Sequence, residues 1–245
     1  MTLNPTAKNY RVAVAAYEAG RPSYPAEIVA ALPLQAARCV VDLGAGTGKF
    51  TRLLLQHLPA TTRLVAVEPV AEMSAKLAQE ARVEVINTRA DAIGLATGSV
   101  DLVTCAQSFH WFDNEASVAE IARLLHPGGT LALVWNNRDD RAPWVHALSA
   151  MIEGYAGDTP RQRSGRWRWI LNDARFVLEK EIVQDHPHRM RARTSSSASH
   201  RPAMSPIFLI RRRRPFARRP MTSCVRPVSV TPTRWCFPIS RSSFC

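Results

Sequence analysis

Short apolar runs alternate with longer amphipathic stretches between residues 36 and 137. The short runs predict strands at residues 39–43, 64–67, 83–87, 100–105 and 130–135, and the longer stretches predict helices at residues 25–32, 50–58, 71–81 and 118–125. In the helix predicted over residues 50–58, Phe50, Leu54 and Leu58 lie on one face. This alternation is typical of a parallel sheet covered by helices. We therefore predict an α/β fold with a doubly wound, mostly parallel sheet.

The pattern weakens in the last hundred residues. A helix is predicted over residues 144–155 and a sixth strand over residues 176–184, but after residue 187 neither a helical nor a strand period survives. We therefore predict a domain at residues 1–187, with its best-defined core at residues 36–137. Residues 188–245 are predicted to be a disordered basic tail without packed structure.

The charge distribution supports this division of the chain. The formal net charge is +12, yet residues 1–187 contain 19 Lys and Arg against 20 Asp and Glu. Residues 188–245 contain 13 Arg and no Lys, Asp or Glu. The excess charge therefore belongs to the tail and not to the predicted domain.

The sequence also restricts the environment of the protein. The five cysteines lie far apart and form no CxxC pair, which argues against a zinc site and against a disulfide framework. Residues 1–11 lack the order of a secretory signal, and no apolar run is long enough for a membrane span. We expect a cytoplasmic protein without a membrane partner.

A glycine-rich loop follows the first predicted strand directly, in the order Val40-Val41-Asp42-Leu43-Gly44-Ala45-Gly46-Thr47-Gly48. Glycines at these positions permit a tight turn and let the main chain approach a ligand closely. A tight turn without a ligand is the alternative. In a dinucleotide fingerprint the third glycine stands where this chain has Lys49. Asp42 would repel a pyrophosphate but suits the ammonium of an amino-acid moiety, so the pattern disfavours NAD.

Acidic residues follow the next two predicted strands. Glu68 ends the second strand, 20 residues after Gly48, where a doubly wound fold directs a carboxylate at a ribose diol. A solvated capping glutamate ahead of Pro69 is the alternative. Asp91, between Ala90 and Ala92, is placed to accept from an exocyclic adenine amine, although a loop aspartate often forms only an Asx turn.

The loop after the fourth predicted strand, residues 106–113, contains Gln107, three aromatic residues and His110. Apolar walls at this point would exclude water from a reacting centre. His110 is the candidate general base because an unperturbed imidazole titrates near pH 6.5. A histidine that only packs or hydrogen-bonds beside Trp111 is the alternative, and a carboxylate acceptor would need no base.

Together these segments resemble the class I S-adenosylmethionine-dependent methyltransferases, specifically the small-molecule branch called type 11, which includes trans-aconitate methyltransferase-like proteins. The resemblance covers residues 10–137 and includes the run Leu125-His126-Pro127-Gly128-Gly129. It implies a Rossmann-like fold, no metal, and a cover over the methionine end at residues 17–25. It also implies cofactor contacts at Asp42, Gly44, Ala45, Gly46, Thr47, Gly48, Glu68, Pro69, Ala90, Asp91, Ala92 and Gln107.

The C-terminal part departs from that family, whose last antiparallel strand inserts between the fifth and sixth strands and ends near a Leu-Pro-Tyr-Leu-Thr-like segment. Residues 233–242, back-translated with permitted codons and read two nucleotides along, give such a segment. We therefore hypothesise a frameshift near residues 187–193, which predicts that the last strand is missing and that the sheet has an unpaired edge.

The function predicted from these observations is methyl transfer from S-adenosylmethionine to a small-molecule acceptor, and we expect the altered C-terminus to impair it. One alternative is an RNA-binding or RNA-modifying methyltransferase that uses Arg211 to Arg214, Arg218 and Arg219 as a phosphate anchor. Such a tail binds polyanions non-specifically, so nucleic acid is otherwise not expected as a partner. An NAD-dependent oxidoreductase is the other alternative, disfavoured by Lys49.

Overall fold

The computed structural model describes residues 21–186, 188–191, 198–201 and 203–214. The strands in these residues are β1 Cys39–Leu43, β2 Arg63–Val67, β3 Val83–Ile86, β4 Val100–Ala106, β5 Leu125–Val134, β6 Asn137–Arg138, β7 Phe176–Asp185, β8 His188–Arg191, β9 Ala198–Arg201 and β10 Ala203–Arg212. The α-helices are α1 Ala26–Ala30, α2 Lys49–Leu55, α3 Ala71–Leu77, α4 Glu115–Leu124 and α5 Pro143–Tyr155. Short 3₁₀ helices lie at Phe109–Trp111, Gln162–Ser164 and Arg166–Asn172.

One large sheet has the strand order β3-β2-β1-β4-β5-β10-β6, with β7 paired to β10, and β8 and β9 form a separate antiparallel pair. Strands β1 to β5 are parallel, whereas β10 runs antiparallel to β5 and to β7. The strand order reverses between β1 and β4, and ligands of doubly wound sheets bind at the carboxyl ends of the strands beside such a reversal. The predicted α/β fold is confirmed.

The core lies on both faces of this sheet. All five residues of β1 are buried, with Val41 packed in the cluster on one face and Val40 in the cluster on the other. Helix α2 buries Phe50 and Leu54, as their spacing predicts. It ends at Leu55, earlier than predicted, although Leu58 is still buried.

The prediction that no packed structure follows residue 187, and that the last strand is missing, is wrong for residues 203–212. Strand β10 fills the position between β5 and β7, where Ile207 pairs with Val134 on one side and Ile182 on the other. Residues 207–210 are Ile, Phe, Leu and Ile, and all four are buried. A strand buried on both faces is a continuous apolar run without a period of two, so a search for alternation does not find it.

The compact unit that contains the sheet ends at Arg214, beyond the predicted boundary at residue 187. Residues 215–245, including the 233–242 segment, lie outside the described residues, and the frameshift hypothesis stays a prediction. None of the described helices combines the length and the apolar character needed to cross a membrane.

Candidate functional site

The loop between β1 and α2 contains three glycines with positive φ, 71° at Gly44, 58° at Gly46 and 87° at Gly48. Side chains rarely adopt this backbone region. A Cβ on Gly44 would lie 2.5 Å from the Cβ of Ser108, and one on Gly48 would lie 2.2 Å from Cδ2 of Leu77. Among the described residues, apart from its two chain neighbours, no atom lies within 4 Å of the corresponding position on Gly46. Gly44 and Gly48 therefore let the turn pack closely against Ser108 and Leu77. Gly46 instead leaves its main chain exposed beside open space.

A cavity of about 450 Å³ opens at this loop, within the range of small-molecule sites. The predicted cofactor residues that line it are Asp42, Gly44, Ala45, Gly46, Thr47, Glu68, Pro69, Ala90, Asp91 and Gln107. The predicted catalytic residue, His110, lines it too. Gly48 and Ala92 do not belong to the lining. The structure thus brings together four loops that lie up to 65 residues apart, as parallel strands with a shared carboxyl edge require.

Asp42 lies at the floor of the cavity and is only 1% exposed. Its Oδ2 accepts a hydrogen bond from Thr51 Oγ1 at 2.6 Å, and its Oδ1 accepts one from Thr104 Oγ1 at 2.8 Å. Burial raises the pKa of this carboxyl to about 6, although both hydroxyl contacts favour the ionised form. Asp42 therefore joins β1 to α2 and β4, and the ammonium contact predicted for it stays a prediction.

Glu68 is also buried, at 6% exposed, so it is not a solvated capping residue. Its Oε2 accepts from the amide of Gly46 and its Oε1 from the amide of Val70, both at 2.9 Å. Burial raises the pKa of Glu68, and the two amides act in the opposite direction. Each carboxylate oxygen has a further lone pair. Glu68 therefore braces the glycine loop and keeps acceptor capacity for hydroxyl groups in the cavity.

The loop after β3 is closed by its own side chains. Asp91 accepts two hydrogen bonds from the guanidinium of Arg89, which hold the pKa of this carboxyl below its usual range. The amide of Ala92 donates to Arg89 O at 3.2 Å, and Ala92 O accepts from Thr88 Oγ1 at 2.8 Å. Ala92 thus completes a turn, while Asp91 is ionised at the edge of the cavity.

Gln107 lies directly after β4 and has a positive φ of 58°. It is the only non-glycine residue with a positive φ among those described. Its amide donates to Val134 O at 2.8 Å, and its Nε2 donates to Asn136 O at 2.9 Å. Such a conformation costs on the order of 1 kcal/mol and is common at ligand sites. The two bonds to the end of β5 hold Gln107 in this geometry.

His110 lines the cavity from the 3₁₀ helix Phe109–Trp111. Its Nδ1 accepts from the indole Nε1 of Trp135 at 3.3 Å, so the neutral ring has its proton on Nε2. Burial, and then the charge of Arg21, lower the pKa of His110 to about 4. An imidazole with this pKa is a weak proton acceptor at neutral pH. The geometry favours the alternative interpretation, a packed and hydrogen-bonded histidine.

Part of the cavity lining lies outside the loops that follow β1 to β4, and the sequence analysis did not identify it. This part includes Met73, Asn136, Pro160, Arg161, Ser164 and Arg166. Asn136 could have been found, because it is the first polar residue after β5. Arg161 and Arg166 lie in irregular segments that carry no periodic signal. Arg161 forms an ion pair with Glu153 at 2.8 Å, and the charge of Arg166 opposes the rise that burial causes in the pKa of Asp113.

The doubly wound sheet, the glycine loop after β1 and the buried carboxylate after β2 define a Rossmann-like nucleoside-cofactor domain. Comparison with known proteins identifies its class. Residues 41–133 match the family model of the methyltransferase domain. An S-adenosylmethionine-dependent methyltransferase from Methanosarcina mazei has the same fold, with a TM-score of 0.53 and 14% identity over 78% of this chain and 99% of that one.

Two relatives show the extent of the similarity in sequence. An uncharacterized methyltransferase of Mycobacterium tuberculosis (strain H37Rv) is 48% identical over 153 residues, which are 62% of this chain and 61% of that protein. Trans-aconitate 2-methyltransferase of Azoarcus sp. is 37% identical over 109 residues, 44% of this chain and 42% of that protein. Residues 41–133 therefore match a methyltransferase domain, on a sheet with the fold of S-adenosylmethionine-dependent methyltransferases. The predicted resemblance to methyltransferases is confirmed over these residues, and the chain spans less than two thirds of the length of these relatives.

Proposed function

We propose that this chain transfers the methyl group of S-adenosylmethionine to a small-molecule acid, with a carboxylate oxygen as the nucleophile. The observation that carries the proposal is the chemistry of the cavity half that faces away from the glycine loop. Among the described residues, this half combines cationic side chains with a neutral histidine, and its one carboxylate is Asp113, on which the charge of Arg166 acts. This half suits an acceptor that is already anionic.

The other half of the cavity fits the cofactor. Gly46 leaves main chain exposed beside open space, and Glu68 offers a buried carboxylate to a ribose diol. Asp91 lies at the third loop, where we expect the adenine. Bound there, S-adenosylmethionine supplies an electrophilic methyl group on a sulfonium. The chain's own residues position it, because displacement at a methyl carbon depends chiefly on proximity and alignment.

Charge distinguishes the two halves. The lining at the carboxyl ends of β1, β2 and β3, on the cofactor side, contains the acids Asp42, Glu68 and Asp91 together with Lys49 and Arg89. The lining from residues 106–117 and 160–166 contains Arg161 and Arg166 against one acid, Asp113. Among the described residues Arg166 forms no ion pair, and it is exposed at the rim of the cavity. Guanidinium groups bind carboxylates by paired, charge-assisted hydrogen bonds.

A carboxylate acceptor also explains why His110 need not act as a base. The attacking oxygen uses a lone pair it already has, the carbon–oxygen bond of an ester forms, and the carbon–sulfur bond breaks with its electron pair left on sulfur. Charge balances because an anion and a cation give two neutral products, and no proton moves. The name of the Azoarcus relative, trans-aconitate 2-methyltransferase, is consistent with an acid as acceptor.

The experiment uses S-adenosylmethionine tritiated at its methyl group with a panel of di- and tricarboxylic acids that includes trans-aconitate. Carboxyl methylation gives a product whose label becomes volatile after alkaline hydrolysis of the ester. We expect Arg166→Ala to raise KM for the best acid about 5- to 20-fold with little change in kcat. Arg168→Ala is the matched control, because Arg168 lies 5.3 Å over the ring of Trp167 and outside the cavity lining. Label that stays non-volatile after alkali refutes carboxyl methylation.

The RNA alternative depends on the arginine run at residues 211–214. Arg211 pairs with Glu179, Arg212 donates to Leu125 O, and Arg213 Nε donates to Phe176 O at 2.9 Å. These contacts engage three of the four guanidinium groups within the protein. Arg218 and Arg219 lie outside the described residues. Transfer of label to RNA but to no acid would favour this alternative over the proposed function.

A further inference from the structure

Residues 21–24 lie in neither a helix nor a strand, yet three of them, Arg21, Pro22 and Tyr24, line the cavity. We call residues 21–24 the cover segment. The Tyr24 ring meets Phe50 edge-on with the centroids 4.8 Å apart. On the same side, Nζ of Lys49 donates to Arg21 O. Side chains from the rest of the domain therefore hold a segment that has no backbone ladder of its own.

Asn136 holds the cover segment from the carboxyl end of β5. It is half-buried at the cavity, two residues after β5, and its Nδ2 donates to Ser23 O at 2.9 Å. This bond spans 113 residues of sequence. Lys49, after β1, and Asn136, after β5, thus bind two main-chain oxygens of the cover segment that lie two residues apart, at Arg21 and Ser23.

The remaining groups of Asn136 contact two other segments. Its Oδ1 accepts from Ser205 Oγ in β10, and its main-chain oxygen accepts from Nε2 of Gln107. The carbonyl of Ser23 can only accept, so it fixes which end of the amide is the NH₂ group, and this leaves Oδ1 to accept from the hydroxyl of Ser205. A side chain at this position must accept and donate at the same time, and an amide does both without charge.

We propose that Asn136 is a positioning residue that clips the cover segment over the cavity and so sets how long S-adenosylmethionine or its product remains bound. The proposal rests on the proposed function, because it requires the nucleoside to lie under this segment. It assigns Asn136 to cofactor retention and gives it no part in the chemical step. It also connects β10 to the site, through Ser205.

Asn136→Asp is the sharpest test, since it keeps the shape and the acceptor for Ser205 but removes the donor to Ser23 O. We expect S-adenosylhomocysteine to dissociate about tenfold faster, as measured by stopped-flow displacement, with a smaller change in association rate. Ser205→Ala keeps that donor and should change the dissociation rate less than about threefold. Gln35→Glu is the matched control, because Gln35 Nε2 donates to His57 O at 3.0 Å away from the cavity.

Each outcome is informative. Dissociation from Asn136→Asp at the parent rate overturns the proposal, and so does an equal acceleration in Gln35→Glu. If Asn136→Asp does not fold, as judged by circular dichroism, Lys49→Met tests the cover segment at Arg21 and should also accelerate dissociation. An unchanged rate there overturns the proposal. Absence of S-adenosylhomocysteine binding in the parent chain contradicts the proposed function instead.

Discussion

Replacing Glu68 with glutamine tests the proposed cofactor site, because the Glu68 carboxylate is the group that we expect to bind the ribose diol. The substitution keeps the size of the side chain, but only one end of an amide accepts hydrogen bonds. In the parent, both carboxylate oxygens accept from main-chain amides, of Gly46 and Val70. In Glu68→Gln one of these amides faces an NH₂ group and loses its partner in a buried position. We expect the free energy of unfolding to fall by about 1–3 kcal/mol.

Glu68→Gln should also weaken the binding of S-adenosylhomocysteine, and by more than the loss of one hydrogen bond to the glycine loop explains. A ribose diol bound to a carboxylate makes charge-assisted hydrogen bonds worth about 1.5–3 kcal/mol each, against about 1 kcal/mol for a neutral acceptor. Loss of the charge should therefore weaken S-adenosylhomocysteine binding on the order of ten- to a hundredfold. Isothermal titration calorimetry at pH 7.5 measures this ratio directly.

The pH dependence gives the prediction a second readout. Burial raises the pKa of Glu68, so the parent loses the ionised form as the pH falls, whereas Glu68→Gln has no such group. The affinities of parent and variant should therefore converge at low pH.

Glu84→Gln is the control, because Glu84 lies on β3 in an exposed ion pair with Arg63 at 2.7 Å and outside the cavity lining. Its affinity for S-adenosylhomocysteine should match that of the parent. The reasoning fails if Glu68→Gln loses stability but binds S-adenosylhomocysteine within twofold of the parent. Glu68 would then be a brace for the glycine loop and not a ligand for the ribose.

Three further predictions concern buried groups. Because the pKa of Asp42 rises from 3.8 to about 6 on folding, its proton binds more tightly in the folded chain. Relative to Asp42→Asn at the same pH, the free energy of unfolding of the parent should thus rise by about 3 kcal/mol as pH falls from about 6 to about 4, as measured by urea titration. His110→Asn keeps an acceptor for Trp135 Nε1 and should lower kcat less than tenfold, whereas loss of a general base removes at least about a hundredfold. Ile207→Ala should cost about 3 kcal/mol in a denaturant titration, against under about 1 kcal/mol for Val183→Ala, whose side chain is half exposed.

The sequence predicted those parts of the molecule in which local chemistry and periodicity coincide. The apolar run of β1 and the glycines after it predict a strand that turns into a helix at a ligand site, and the structure places Gly46 in the lining of the cavity. Glu68 was predictable from its distance to that loop. These residues lie at the ends of regular strands, so the order of strands along the chain determines where they meet.

Other parts of the site depend on tertiary contacts that leave no periodic trace. The positive φ of Gln107 is imposed by the end of β5, and Arg166 reaches the cavity from a 3₁₀ segment. The low pKa of His110 follows from burial and from Arg21, which lies 89 residues earlier in the chain. The sequence alone favours a general base at His110, and only the burial of its ring and the charge of Arg21 argue against that role.

Strand β10 shows how little sequence specificity an internal strand requires. Its position between β5 and β7 demands apolar side chains on both faces, and residues 207–210 supply them without alternation. The backbone ladder itself does not depend on side-chain identity. A short apolar run that arose by a change of reading frame would therefore complete the sheet as well as an inherited strand. The presence of β10 and the frameshift hypothesis are thus compatible. The gene sequence tests the frameshift hypothesis. A second reading frame that continues the fold through residues 187–245 without a stop codon supports the frameshift, and stop codons in that frame refute it.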